Sequence, residues 1–306
     1  MLNGLSGKTA VLTGAGSGFG LECTRIAAKA GMQLVLVDVQ ADALAQAAQQ
    51  ARALGAKQVM ACTVDVGDAQ AMQALADEVK TTFGAPHFVF NNAGVGGSGG
   101  LLWEQSPRDW EWVLNVNLWG VIHGVRLFTP MMLGAAAQDP SWQGHIVNTA
   151  SMAGLLAPPN MGVYNVSKHA VVSLTETLYQ DLMLGTDQGH CSVLCPYFVP
   201  TGIATSERNR ADAVDESQLT TSQKVARAMT QKAVKSGKVT AQDIASKVFA
   251  AMADNQFYIF SHPQALGTVQ TRMEDILELR NPTDAFEGRP EVGQQLRDAL
   301  RGTCAS

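Results

Sequence analysis

The stretch Thr13-Gly14-Ala15-Gly16-Ser17-Gly18-Phe19-Gly20 restricts what this chain can fold into more than any other segment. It follows the apolar run Lys8–Thr13 (KTAVLT) and leads into Ser17–Ala30, a helical pattern closed by Gly31. A strand that turns through glycines straight into a helix is the opening of a βαβ unit. Glycines let the chain turn tightly, let the backbone approach a diphosphate, and let helix and strand pack closely, so Gly14, Gly16, Ser17, Gly18, Phe19 and Gly20 are cofactor-binding candidates. The helix start then offers unpaired N–H groups and a positive dipole end to phosphate oxygens. A glycine-rich turn alone is compatible with a plain tight turn, so its context has to decide.

That context is a regular alternation. Gln33–Asp38 (QLVLVD) is a continuous apolar strand of the kind buried on both faces. Ala41–Leu54 has helical spacing and ends at Gly55, Gln58–Asp65 reads as a third strand, and Asp68–Phe83 as an amphipathic helix. His87–Asn91 is a fourth strand, and Ser106–Leu133 one long helical region opened by Ser106-Pro107. His145–Ala150, the helix Gly162–Leu184 and His190–Pro196 continue the series. Thr201–Leu219 is polar, lacks a period and reads as a mobile loop. Helices follow at Thr221–Lys235 and Thr240–Ala253, and Phe257–Phe260 is a candidate seventh strand. A helix is expected over Pro263–Leu279, then a tail rich in Pro, Gly and charge. Strands alternating with helices predict one doubly wound α/β domain of Rossmann type, with a mainly parallel seven-stranded sheet. With no repeat, linker or composition break, residues 1–306 read as a single domain. Within it, 201–240 is the expected substrate loop or lid, and 263–306 a helical C-terminal extension.

Composition supports a soluble core and narrows the partners. Of 306 residues, 46% are hydrophobic and 16% charged, enough apolar material to cover such a sheet. The net charge of −5, with Lys and Arg scattered, argues against nucleic acid as a partner. No run approaches the roughly 18 unbroken apolar residues of a membrane span. Met1–Gly7 lacks a basic start with an apolar stretch behind it, so a cytoplasmic location is expected. Cys23, Cys62, Cys191, Cys195 and Cys304 form no C-x-x-C pair and the histidines are dispersed, so no metal site is expected. Cys191 and Cys195 share one face of a strand, where small buried residues are the simpler reading than a redox pair.

Asp38 ends the second strand, where a carboxylate accepts hydrogen bonds from an adenosine ribose and repels a 2′-phosphate. Val39 and Gln40 follow it and Ser17 lies in the glycine turn, all uncharged, which favours NAD over NADP. Asp65-Val66 ends the third strand, and Asn92, Ala93 and Gly94 follow the fourth. Small residues and amides there let the chain pass close to an adenine and a ribose, although either could be only a strand-to-helix turn.

Tyr164 and Lys168 are four apart in Tyr164-Asn165-Val166-Ser167-Lys168, hence on one helix face, and Ser151 lies just past the fifth strand. Taken singly these residues are ordinary. Behind a nucleotide turn they form a set suited to a secondary alcohol. Oxidation removes the hydroxyl proton as hydride leaves carbon. A free tyrosine titrates near ~10, and bringing it near neutrality takes roughly 4 kcal/mol of favourable interaction with the phenolate. A nearby ammonium and a cationic nicotinamide would supply that, with Ser151 holding the substrate oxygen.

The combination TG-x-x-x-G-x-G, NNAG, Ser and Y-x-x-x-K, in this order, resembles the short-chain dehydrogenase/reductase family over roughly Lys8 to Thr201. The resemblance implies that Asn117 is a fourth catalytic residue, linking Lys168 through water to a proton relay. It implies that Lys168 also binds the nicotinamide ribose, and that Pro196, Val199 and Thr201 line the cofactor site, with Thr201 on the carboxamide. It further implies that the two long helices pair between subunits, giving a homodimer or homotetramer. One departure stands out: Tyr197 follows Pro196 where the family commonly has glycine. That ring could shape an aromatic or apolar pocket, or it could simply pack. The length resembles bacterial members such as the Cα-dehydrogenases of lignin-derived diaryl compounds.

The substrate pocket is expected between Val95–Trp103, Met152–Met161 and the loop after Thr201, with Met152, Leu155 and Tyr197 as apolar walls. A bulky, uncharged small molecule suits it better than a sugar phosphate. Two other functions fit the same residues: a non-catalytic NAD-sensing protein, and an epimerase or dehydratase that keeps its cofactor.

Overall fold

The computed structural model describes residues 4–210 and 216–301; the N-terminal Met1, the stretch 211–215 of the expected lid, and Cys304 lie outside the described residues. In chain order the elements are β1 (Thr9–Thr13), α1 (Gly18–Lys29), β2 (Gln33–Asp38), α2 (Ala41–Ala53), β3 (Val59–Thr63), α3 (Ala69–Phe83) and β4 (Phe88–Asn91). Then come α4 (Pro107–Leu114), α5 (Gly120–Ala136), β5 (Gly144–Thr149), α6 (Gly162–Gly185) and β6 (Gly189–Cys195). The chain closes with α7 (Thr221–Lys235), α8 (Ala241–Asp254), β7 (Tyr258–Phe260), α9 (Leu266–Leu277) and α10 (Pro290–Arg301). The strands form one sheet in the order β3-β2-β1-β4-β5-β6-β7, and every neighbouring pair is parallel.

Strand alternation explains why the runs read as continuously apolar. Leu34 and Leu36 pack on one face with Leu12, Phe88 and Phe90, under α1, α2 and α8. Val35 and Val37 pack on the other with Val11, Val89 and Ile146, under α3, α5 and α6. Both faces are covered, so each strand spends its odd and even residues on different cores. Local signals set the helix starts. Asp68 accepts from the Gln70 and Ala71 N–H groups, and Ser106 forms a reciprocal capping box with Asp109.

Three expectations change. The single helix over Ser106–Leu133 is α4, a π-turn at Asn115–Trp119, and α5. A π-turn shifts the helical register by one residue, and the apolar pattern passes through it without a break. Its Gly120 lies so close to Val66 that an added methyl would come 2.6 Å from Val66 Cγ2, which holds the bend against the sheet edge. Second, the supposed mobile loop contains a 3₁₀ helix, Gly202–Asn209, and a short turn of the same kind at Glu216–Gln218. Third, α10 forms in the C-terminal tail, with Gly293 packed against the Phe286 ring. Trp119 and Val166, on the helices expected to pair between subunits, are 49% and 45% exposed.

Candidate active site

All functional candidates gather at the carboxyl ends of the strands, around the β1/β4 boundary where the strand order reverses. In open parallel sheets this is where a crevice forms. Here it is a cavity of about 450 Å³.

The turn after β1 is built for close approach. Gly14 has φ of 66° and Gly18 of 52°, the left-handed region that side chains disfavour. A methyl on Gly20 would sit 2.1 Å from the Gly14 carbonyl oxygen, so no other residue fits. Gly20 therefore packs helix on turn and, unlike Gly14, Gly16, Ser17, Gly18 and Phe19, does not line the cavity. Ser17 caps α1 without a side-chain hydrogen bond, and no acidic residue stands in the first turn. The N–H groups at this helix start are thus left for an external anion.

Thr13, quoted in the motif but given no role by sequence reasoning, is the latch between β1 and β4. Its hydroxyl donates to the Phe90 carbonyl at 3.2 Å and accepts from the N–H groups of Asn92 at 2.8 Å and Ala93 at 3.0 Å. The Asn92 amide returns a bond to the Thr13 carbonyl at 3.0 Å. Asp38 ties the turn to β2: one oxygen accepts from Gly16 N–H at 2.8 Å, the other from Gln40 N–H at 2.9 Å. Each oxygen keeps a second acceptor direction for a ribose hydroxyl. Val39, Asp65, Val66, Asn92, Ala93, Gly94, Pro196, Val199 and Thr201 also line the cavity. A methyl built on Gly18 would touch Thr201 Cγ2 at 3.4 Å, so the segment after β6 crosses close to the turn after β1.

Ser151, Tyr164 and Lys168 line the same cavity. Ser151 stands two residues past β5, at the start of the 3₁₀ turn Met152–Gly154, and Tyr164 and Lys168 stand one turn apart on α6. The single Ser151 proton has two acceptors within reach, the Pro196 carbonyl at 3.2 Å and the Tyr164 oxygen. Lys168 is 3% exposed; its Nζ donates to the Thr149 carbonyl at 2.9 Å and lies 5.7 Å from the Tyr164 ring centre. Burial lowers the Lys168 ammonium to about 8, so it stays mainly charged at neutral pH. Burial also raises the Tyr164 hydroxyl above its ordinary value, with the Ser151 hydrogen bond pulling the other way. The chain's own groups thus favour the protonated tyrosine, a donor; the expected lowering also calls on a cationic nicotinamide beside Lys168.

Asn117 is fully buried behind the cavity rather than on its wall. Its side chain accepts from Val95 N–H at 2.8 Å and donates to the Val95 carbonyl at 2.9 Å and to Ser167 Oγ at 3.1 Å. Ser167 in turn donates to the Tyr164 carbonyl at 2.8 Å. The side chain thus ties the β4 exit and the π-turn to α6.

The substrate end is largely apolar, with one exchange of neighbours. Met152, Tyr197 and Phe198 line it, but Leu155 packs into the core with Val171 and Val172, and Leu156 takes its place. Leu155 closes a 3₁₀ turn over Met152–Gly154, and both leucines pack against the Val171–Val172 cluster, but only Leu156 also lines the cavity. Gly96–Gly99 reach the cavity, whereas Leu101, Leu102 and Trp103 do not, Trp103 being 76% exposed. Trp112 and Ile203, which no sequence motif marks, do line it. Tyr197 packs edge-on against Phe198, ring centres 4.7 Å apart, and its N–H donates to Ser261 Oγ at 2.8 Å. It therefore both packs and faces the cavity. Cys191 and Cys195 are buried, and burial pushes each thiol up to about 12, so neither is a ready nucleophile. Among the described residues, no helix is long and apolar enough to cross a membrane, and no group of three His, Cys, Asp or Glu side chains is placed to hold a metal.

Comparison with known proteins agrees with this geometry. Residues 8–212 match the family model for short chain dehydrogenase. A crystal structure of a short chain dehydrogenase/reductase from Burkholderia phymatum in complex with NAD is 53% identical, with a TM-score of 0.87 over 92% of this chain and 99% of that one. A CLA biosynthesis dehydrogenase/reductase of Lactiplantibacillus plantarum is 31% identical over 93% of this chain and 96% of its own length. A C alpha-dehydrogenase from a Sphingobium species is 28% identical over 96% of this chain and 92% of its own length.

Proposed function

The chain belongs to the short-chain dehydrogenase/reductase family, and on that premise we propose that it is an NAD(H)-dependent enzyme interconverting a bulky, apolar or aromatic secondary alcohol and its ketone. One observation carries the reading. Ser151, Tyr164 and Lys168 line the same cavity as Asp38 and the glycine turn, so a proton site and a dinucleotide site share one volume.

The residues present fit a nicotinamide dinucleotide. The glycine turn and the uncapped start of α1 suit its diphosphate, Asp38 its adenosine ribose, and Lys168 and Thr201 its nicotinamide end. When bound, that group supplies the hydride acceptor or donor. Everything else is the work of side chains. Ser151 holds the substrate oxygen, and Tyr164 Oη gives it a proton in reduction or takes one in oxidation. Lys168, charged at neutral pH, stabilises the phenolate left on Tyr164. The cationic residues among the described lining are Lys168, Arg208 and Arg227, none on β2 or the turn after it. A 2′-phosphate at Asp38 would meet a carboxylate and no counter-charge, which supports NAD over NADP. Trp112, Met152, Leu156, Tyr197 and Phe198 at the other end support a bulky apolar substrate.

The test is a panel of benzylic, steroidal and aliphatic secondary alcohols with NAD or NADP, followed by absorbance of the reduced nicotinamide. Turnover fastest with NAD and a bulky benzylic or polycyclic alcohol is expected. A preference for NADP, or for small aliphatic or phosphorylated alcohols, contradicts the reading.

A further inference from the structure

Of the three cations among the described residues that line the cavity, two have settled partners. Lys168 donates to the Thr149 carbonyl, and Arg227 pairs with Glu207 at 2.7 Å and Glu216 at 3.1 Å. Arg208 is different. Among the described residues no carboxylate stands within ion-pair distance of it. One guanidinium nitrogen, Nη1, donates to the Gly202 carbonyl at 2.9 Å, the Thr205 carbonyl at 2.8 Å and the Thr205 hydroxyl at 3.1 Å. That leaves the donors on Nε and Nη2 of the fork for another acceptor.

Position decides which anion they meet. The side chain folds back over Gly202 so closely that a methyl there would lie 2.8 Å from Nη2. Gly202 follows Thr201, and Thr201 in turn lies against Gly18 at the start of α1, where the uncapped N–H groups are. The reacting groups, Ser151 and Tyr164, and the ribose-binding carboxylate, Asp38, mark the two ends of the cofactor path. Arg208 lines the same cavity and lies over Gly202, one residue from the Thr201 that approaches the start of α1. We propose that Arg208 is a further cofactor-binding residue, holding the dinucleotide's diphosphate from the side opposite the glycine turn. A planar guanidinium suits paired phosphate oxygens better than a point charge. The inference rests on the nicotinamide-dinucleotide reading above.

It has a structural corollary. The 3₁₀ helix that carries Arg208 also carries Ser206, whose hydroxyl accepts from Gly96 N–H at 2.8 Å, and Glu207, which pairs with Arg227. The same helix thus forms a wall of the substrate end, and the diphosphate would brace that wall.

Calorimetric titration of the full chain with ADP-ribose, adenosine and NADH separates these roles, because ADP-ribose has the diphosphate but no nicotinamide. Arg208→Gln should weaken ADP-ribose and NADH about tenfold or more, the scale of one charge-assisted hydrogen bond, and leave adenosine unchanged. It should also flatten the salt dependence of ADP-ribose affinity, and Arg208→Lys should fall between. Undiminished ADP-ribose affinity in Arg208→Gln, or an equal loss for adenosine, overturns the assignment alone. Failure of the unsubstituted protein to bind ADP-ribose or NADH overturns the cofactor reading and this inference with it.

Discussion

Asp38 accepts a backbone N–H on each carboxylate oxygen, Gly16 on one side and Gln40 on the other, so it is fixed in place before any ligand arrives. Its brace on the glycine turn and its proposed contact with a ribose come apart on substitution. Asp38→Ala should lower the ratio of kcat/KM for NAD to that for NADP about tenfold or more, the scale of one hydrogen bond plus one removed repulsion. Steady-state kinetics with both cofactors checks this, and an unchanged ratio would show that another residue discriminates. Asp38 was legible in the sequence because its place at a strand end, beyond a glycine turn, has a direct physical meaning. Thr13 and Arg208 were not. A threonine inside a strand carries no mark of what its hydroxyl meets, and Arg208 lies in a stretch without period. Leu155 and Leu156 could not be told apart for a related reason: both pack against one core cluster, and only the fold decides which also reaches the cavity.

At the scale of elements, β5 and β6 bring His145 and His190 side by side, their ring centres 6.1 Å apart. Ser192 Oγ donates to the Gln256 carbonyl at 2.7 Å, so it must accept from His145 Nε2–H at 2.7 Å, which fixes the neutral tautomer. Burial, with His190 adding to it, lowers His145 to about 3. The folded value lies below the unfolded one, near ~6.5, so the unfolded chain binds the extra proton between them. Stability from this group is complete above the unfolded value and is lost as pH falls toward 3, at a slope of up to about 1.4 kcal/mol per pH unit. Urea midpoints of wild type and His145→Gln between neutral pH and pH ~4 should converge as pH falls. Curves that stay parallel would remove His145 as the acid-sensitive group. Strand and helix order was readable because burial on both faces leaves continuous apolar runs, and α3, α4, α7 and α8 start at side-chain caps. The π-turn at Asn115–Trp119 was not readable, since the apolar pattern runs through it unbroken and the residue packed against the following Gly120, Val66, comes from another part of the chain.

At the scale of the whole molecule, parallel strands bring two distant sets of residues to one edge of the sheet. The first comes from β1, β2 and β4 and suits a dinucleotide; the second comes from β5, α6 and β6 and suits proton transfer and substrate. The division was visible in the order of the motifs, while the shape of the substrate end was not, because it depends on how the segment after β6 folds back. If the cavity works as one site, removing a single oxygen should stop the reaction without emptying it. The decisive measurement is Tyr164→Phe, assayed for NADH affinity and for alcohol-dependent NAD reduction with the best substrate of the panel. The account predicts NADH binding close to that of the wild type and turnover reduced to about 1% or less, the scale of losing a general acid–base group. Retention of more than a few per cent of the wild-type rate would contradict it.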